Sequence, residues 1–287
     1  MRIVIYSCCI ILAAICFSGS VYSQQAKEPY VDETWVRDYT PFRIAGNLYY
    51  VGSYDLACYL ITTPVGHILI NEGVAASPAM IQAHVEELGY RMQDIKILLT
   101  SQVHYDHVGG LAEIKRLTGA KVMIQEADAP VLADGGRTDY YFAAMGPTFT
   151  AVQPDRVLHD GDRIKLGDMV VTVLHHPGHT KGSCSYLLTV RDEHSSYKVL
   201  IANMPSIIVE GRLTEVSSYP AMAADYEYTF ASLRKQRFDI WLAAHASQFG
   251  LHEKHQEGDA YNPEAFRDEA GYRQEIAGLE KQYRDKK

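Results

Sequence analysis

Cysteine is scarce in this chain. There are five in 287 residues, and no two are spaced C-x-x-C. A zinc site built from cysteine pairs is therefore excluded. Positive charge is also in short supply. Lys and Arg number 27 against 35 Asp and Glu, for a net charge of −8. No long basic run offsets this, which argues against nucleic acid or an anionic membrane surface as a partner. Internal repeats and low-complexity segments are missing too, so neither a repeat architecture nor a biased disordered chain is indicated. What is present is an ordinary globular composition, 47% hydrophobic and 22% charged. That is enough to bury a sizeable core in one large domain or two small ones.

The N-terminus reads as a targeting segment. Met1-Arg2 gives a short basic start, and Ile3–Phe17 is an apolar stretch of signal-peptide length. Val21-Tyr22-Ser23 then offers small residues where a signal peptidase reads. The stretch is too short for a comfortable membrane span. A signal peptide over 1–23 and a periplasmic mature chain from residue 24 are expected. Cleavage removes Cys8, Cys9 and Cys16, leaving Cys58 and Cys184. These two could pair in an oxidising compartment. Each sits in an apolar, strand-like run, so two buried free thiols are expected.

Strands are expected at Tyr49–Val51, Cys58–Thr62 and His67–Ile70, the last two joined by the turn Thr63-Pro64-Val65-Gly66. Ser77 to Leu88 reads as a helix with Ser77 as N-cap, Pro78 in the first turn and Gly89 at the end. A buried strand Ile95–Leu99 precedes a helix from Gly110 to Leu117, closed by Gly119. Lys121–Ile124 reads as a strand, and Glu126 to Leu132 as a short helix containing Pro130. In the second half, strands are expected at Met169–Leu174, Ser185–Val190, Val199–Ala202 and Ile240–Ala243. Helices are expected from Ala221 to Gln236 and, charged, from about 263 to 281. Residues 24–40 read as an extended arm. This alternation implies layered α/β, with sheets in the middle and helices outside.

The chemistry gathers at three strand ends. Thr100-Ser101-Gln102-Val103-His104-Tyr105-Asp106-His107 follows the Ile95–Leu99 strand. Ligands at alternating positions of one loop can point one way and the next residue the other, so this loop could feed two metal ions. Neutral imidazole is a good zinc ligand and carboxylate a common companion. The alternative is a loop of solvent-facing polar residues. His175-His176-Pro177-Gly178-His179 and Trp241-Leu242-Ala243-Ala244-His245 each place histidine at a further strand's C-terminal end, where α/β sheets build their sites.

Together, Gln102-x-His104-x-Asp106-His107, Pro177-Gly178-His179-Thr180 and His245 resemble the metallo-β-lactamase superfamily pattern over about residues 40–255. The resemblance implies an αβ/βα four-layer sandwich with the metal site along one edge, in a domain spanning 24–287. In relatives such as glyoxalase II and lactonases, a late Gly-Asp supplies a bridging aspartate. Here Asn203 takes that place, and a neutral amide is a poor bridge. The zinc-binding cysteine of other β-lactamase subclasses is absent as well, with Met204 nearby. Asp38–Ala45, Val199–Ser206 and His245–Phe249 resemble β-lactamases of class B, subclass 3. Gln102 and Met204 are similar to its GOB-type members. Most of the subclass carries histidine at the Gln102 position and serine at the Met204 position. The subclass's late disulfide has no counterpart, since no cysteine follows Cys184.

Carried over by motif, the resemblance implies a first zinc site of Gln102, His104 and His179, and a second of Asp106, His107 and His245. One or two Zn2+ per chain are implied. A glutamine carbonyl is a weaker zinc donor than imidazole, so the first site is expected to bind less tightly. The implied reaction is direct hydrolysis of the β-lactam amide by zinc-activated water, with Asp106 as the catalytic residue and no acyl-enzyme. Ser206 falls where the subclass often contacts the substrate carboxylate. Tyr140, Tyr141, Phe142 and Met145 either line the cleft or pack between the halves, with packing the expectation.

The other histidines are expected to stay off the metal. His67 and His84 lie inside elements, and His159 and His194 in polar turns. His252 and His255 read as solvated loop residues. His176, beside His179, is a candidate for holding a ligand by hydrogen bond. The leading expectation is a monomeric periplasmic zinc β-lactamase acting on penicillins, cephalosporins and carbapenems. The alternatives are a lactonase or thioester hydrolase on the same scaffold, or a non-enzymatic zinc protein. Asn203 argues against the former, and six ligands with an open position against the latter.

Overall fold

The computed structural model describes residues 26–287. The expected signal peptide, residues 1–23, lies outside the described residues. Among the described residues, no helix is long and apolar enough to cross a membrane.

Two sheets face each other. The first has seven strands in chain order: β1 (Phe42–Ala45), β2 (Leu48–Tyr50), β3 (Tyr59–Thr63), β4 (Gly66–Ile70), β5 (Ile95–Leu99), β6 (Lys121–Gln125) and β7 (Arg156–Leu158). It is antiparallel from β1 to β4 and parallel from β4 to β7. The second comprises β8 (Arg163–Leu166), β9 (Met169–His175), β10 (Cys184–Arg191), β11 (Ser196–Ala202) and β12 (Ile240–Ala243), in the order β12-β11-β10-β9-β8. Only β11 and β12 pair in parallel.

The helices are α1 (Glu33–Val36), α2 (Ser77–Glu87), α3 (Tyr105–Val108), α4 (Leu111–Thr118), α5 (Ala129–Asp134), α6 (Met222–Leu233), α7 (Leu251–Lys254) and α8 (Glu269–Lys286). The apolar runs of β4 and β5 are buried on both faces, as parallel strands between layers require. Ile68, Ile70, Ile97 and Leu99 join Val171, Val173, Tyr186 and Leu188 in the core between the sheets. Leu69 and Leu98 pack on the other face against Ile81 and Val85 of α2 and Leu111 and Ile114 of α4. On the far side, Phe230 and Leu233 of α6 and Ile276 of α8 pack with Leu200 and Trp241. This is the expected αβ/βα sandwich.

Several local expectations are corrected. The 24–40 arm contains a helical turn, α1, because the Asp32 carboxylate accepts the Thr34 N–H at 2.9 Å and caps it. Ser77 is the first residue of α2 rather than its cap. Its hydroxyl accepts the Val74 N–H at 3.1 Å instead. The C-terminal helix is split. A 3₁₀ turn, Pro263–Phe266, precedes α8, which restarts where the Asp268 carboxylate accepts the Gly271 N–H. Strands β1, β7 and β8 were not expected. They are three or four residues long and carry Arg43, Arg156, Arg163 and Lys165, so no apolar run marks them. His252 and His255 are not solvated loop residues. His252 stacks on Tyr54 at 3.8 Å and His255 on Phe42 at 3.6 Å. Cys58 and Cys184 are buried free thiols, as expected.

Candidate metal centre

The three strand ends meet along one edge of the sandwich. β5 ends at Leu99, the chain bends at Ser101, and His104 (φ −74°, ψ 153°) stands just ahead of α3. The alternation expected over the whole loop is broken where α3 begins at Tyr105. Asp106 and His107 stand on α3, where consecutive side chains diverge by about 100°. His179 follows the C-terminal end of β9 in a turn at Gly178 (φ 134°). A Cβ at Gly178 would lie 2.9 Å from the Tyr226 ring, so only glycine fits there. His245 follows β12, and its neighbour Ala244 is held by the Ala57 N–H.

Asp106, His107 and His245 converge, with one ligand atom of each within 4.8 Å of the others. Asp106 Oδ2 lies 3.2 Å from His107 Nε2 and 3.3 Å from His245 Nε2. His104 Nδ1 and His179 Nε2 face each other at 3.1 Å. Gln102 is buried, and its Oε1 has no hydrogen-bond partner. Both nitrogens of His107 are likewise without one.

The outer nitrogens explain why the inner ones face inward. His179 Nδ1 donates to the Ser206 carbonyl at 2.8 Å. His245 Nδ1 donates to Asp55 Oδ2 at 2.9 Å. Asp139 Oδ2 stands 3.3 Å from His104 Nε2, an ion-pair contact without hydrogen-bond alignment. Each contact favours the proton on the outer nitrogen and leaves a lone pair on the inner one. Two imidazole lone pairs at 3.1 Å repel unless a cation or proton lies between them. A tetrahedral zinc with Zn–N near 2.05 Å would set them about 3.3 Å apart. Gln102, on the same loop as His104, has a buried oxygen without a hydrogen-bond partner, and such an atom suits a metal ion.

The electrostatics agree. Burial alone would raise the Asp106 pKa, but His107 and His245 outweigh it and hold the carboxyl well below its usual range. Burial, helped by His104, pushes His179 down to about 3, so its imidazole is neutral and free to ligate. Burial also lowers His107. Burial opposes protonation of His245, yet Asp106 and Asp55 hold its pKa up to about 9. A metal ion there competes with that proton.

Five of the six expected side chains thus come together, His104 with His179 and Asp106 with His107 and His245, while Gln102 is buried on the loop that carries His104. Ser206 sits beside them, its hydroxyl 3.1 Å from His179 Nδ1. Tyr140 packs between the halves as expected. Its hydroxyl donates to the His179 carbonyl at 2.8 Å, and Phe142 meets the His104 ring edge-on at 5.1 Å. Tyr141 and Met145 are instead 40% and 59% exposed. His176 does not hold a ligand. It bonds the hydroxyls of Ser185 and Ser232, bracing β10 against α6. Asn203 is buried, with an amide nitrogen that has no partner, and Met204 is buried next to it. Sequence reasoning missed Asp55 and Asp139. Asp139 follows the Gly135-Gly136 turn, a weak local signal. Nothing near Asp55 marks it.

Comparison with known proteins places these features among relatives. Residues 56–192 match the family model of the metallo-β-lactamase superfamily. The chain is similar to the crystal structure of the metallo-β-lactamase GOB-18 from Elizabethkingia meningoseptica, with 53% identity and a TM-score of 0.91. That match covers 92% of this chain and 98% of that one. It is equally similar to the class B3 di-zinc metallo-β-lactamase LRA-12 from an Alaskan soil metagenome, at 54% identity and a TM-score of 0.90, covering 91% and 99%. A shorter likeness, 36% identity over 102 residues, joins it to the acyl-coenzyme A thioesterase MBLAC2 of Bos taurus. That stretch is 30% of this chain and 35% of the thioesterase, so the chain spans about a third of that relative's length.

Proposed function

This chain belongs to the metallo-β-lactamase superfamily and, within it, to class B subclass 3, and from that premise we propose that it is a zinc-dependent β-lactamase. Its substrates are penicillins, cephalosporins and carbapenems, and its activity confers resistance to them. The observation that carries this reading is the pairing of His104 with His179 beside the Asp106, His107 and His245 cluster, with the Gln102 oxygen buried and partnerless on the same loop. That arrangement occurs in a chain more than half identical, over nine-tenths of its length, to solved β-lactamases.

Gln102, His104 and His179 would hold one zinc ion, and Asp106, His107 and His245 the other. Zinc bound there would supply a Lewis acid for the lactam carbonyl and a water with a pKa nearer neutrality. Asp106 is the catalytic residue. It is the one anionic ligand, and its Oδ2 faces both imidazoles of the second site, where it orients the attacking water and accepts its hydrogen bond. Asp55 and Asp139 hold His245 and His104 in their tautomers. The Ser206 hydroxyl, beside His179 at the edge of the cluster, binds the substrate carboxylate. No side chain acts as a nucleophile. The leader read at residues 1–23 supports export to the periplasm, with 24–287 as one metallo-β-lactamase domain acting as a monomer.

A substrate panel tests this. The purified zinc-loaded chain is expected to turn over a penicillin, a cephalosporin and a carbapenem at least about a hundredfold faster, in kcat/KM, than an acyl-CoA thioester or a γ-lactone. A preference for thioester or lactone would assign the site to another hydrolase of the superfamily.

A further inference from the structure

Asp128 is an acidic residue that the reaction described above does not use. It follows β6 just ahead of α5, is 1% exposed, and reaches the turn that carries His179. Its Oδ2 accepts the Thr180 hydroxyl at 2.6 Å, and its Oδ1 accepts the Gly182 N–H at 2.7 Å. Thr180 is the residue immediately after the ligand. The Ser183 hydroxyl accepts the Thr180 N–H and also meets the Thr180 hydroxyl, both at 2.8 Å. The approach is close. A Cβ on Gly182 would lie 2.5 to 2.7 Å from the Asp128 backbone nitrogen and side chain, so the turn can sit on the carboxylate only because residue 182 is glycine.

The rest of the turn is held by neutral groups. Tyr140 donates to the His179 carbonyl and Tyr219 to the Thr180 carbonyl. Asp128 is the charged anchor, bonded to the turn on both oxygens. A charge-assisted pair of hydrogen bonds is roughly twice as strong as a neutral pair. Its removal would release the backbone on which the His179 imidazole stands. The second site has no such dependence, because Asp106 and His107 ride on α3 and His245 follows β12.

We propose that Asp128 is a positioning residue for the first metal site, fixing His179 through Thr180 and Gly182. This rests on the zinc-hydrolase reading, and the test is chosen to be independent of turnover. Metal-free protein is titrated with 113Cd2+, and NMR follows the resonances of the two sites separately. Three variants are compared with wild type. Asp128→Asn keeps the volume but turns one acceptor into a donor. Thr180→Val removes the hydroxyl at the same bond, and Thr180→Ser retains it.

The expected result is a first-site affinity weakened about 10- to 100-fold in Asp128→Asn and Thr180→Val. The second site should stay within about twofold of wild type, with Thr180→Ser near wild type at both. The double variant Asp128→Asn/Thr180→Val should cost less than the sum of the two single ones, since both act on the Asp128–Thr180 bond. Unchanged first-site affinity would overturn the proposal. So would equal weakening at both sites, or the absence of a first-site resonance in wild type. A chain that binds cadmium as expected yet hydrolyses no β-lactam would refute the proposed function and leave this role standing.

Discussion

Replacing Asp106 with alanine is expected to lower kcat/KM for β-lactam hydrolysis by roughly three orders of magnitude or more, about 4 kcal/mol of transition-state stabilisation. The size follows from its position. Among the six candidate ligands it is the only anion, and its Oδ2 lies within 3.3 Å of both the His107 and His245 imidazoles. Alanine removes a ligand, the local negative charge and the acceptor that orients water in one change. Loss of the carboxylate also leaves the His107 and His245 rings, 5.1 Å apart, without the anion that both face. Asp106→Asn separates these effects, since it keeps the shape and loses the charge. Circular dichroism establishes folding and metal analysis establishes zinc content before kinetics are compared. Turnover within tenfold of wild type in folded, zinc-loaded Asp106→Ala would remove Asp106 from the mechanism.

The second large effect concerns Gln102. Changing it to histidine should tighten zinc binding at the first site by about tenfold or more, because imidazole nitrogen is a better zinc donor than an amide carbonyl. The Gln102 oxygen is buried without a hydrogen-bond partner, so the substitution breaks no existing bond there. Competition with a chromogenic chelator reads both site affinities in one titration. A first-site affinity no tighter than wild type would mean that glutamine is not what limits this site.

Much of this arrangement was legible in the sequence for identifiable reasons. Ile95–Leu99 is apolar but for Lys96, and it is β5 with those bounds. Gly119 closes α4 in the left-handed conformation that glycine adopts freely. The six candidate ligands stood out because their types are restricted and each falls at or past a strand's C-terminal end. Edge strands β7 and β8 did not, because their exposed arginines and lysine break the apolar signal that marks buried strands. The groups that hold the ligands were hidden for a different reason. Asp55 meets a histidine 190 positions away, and Asp128 meets Thr180 across 52. A lone aspartate in a loop looks the same whether it faces water or a buried imidazole, and only the fold distinguishes them. His176 shows the converse. Its proximity to His179 in sequence suggested a role at the metal, yet strand geometry turns it toward Ser185 and Ser232.

The most direct test of the account is carbapenem hydrolysis by the purified protein, followed by ultraviolet absorbance before chelation, after it, and after zinc is restored. The account predicts rapid turnover that disappears when zinc is stripped and returns on its addition. Turnover that survives complete chelation, or none at all from folded, zinc-replete protein, would contradict it.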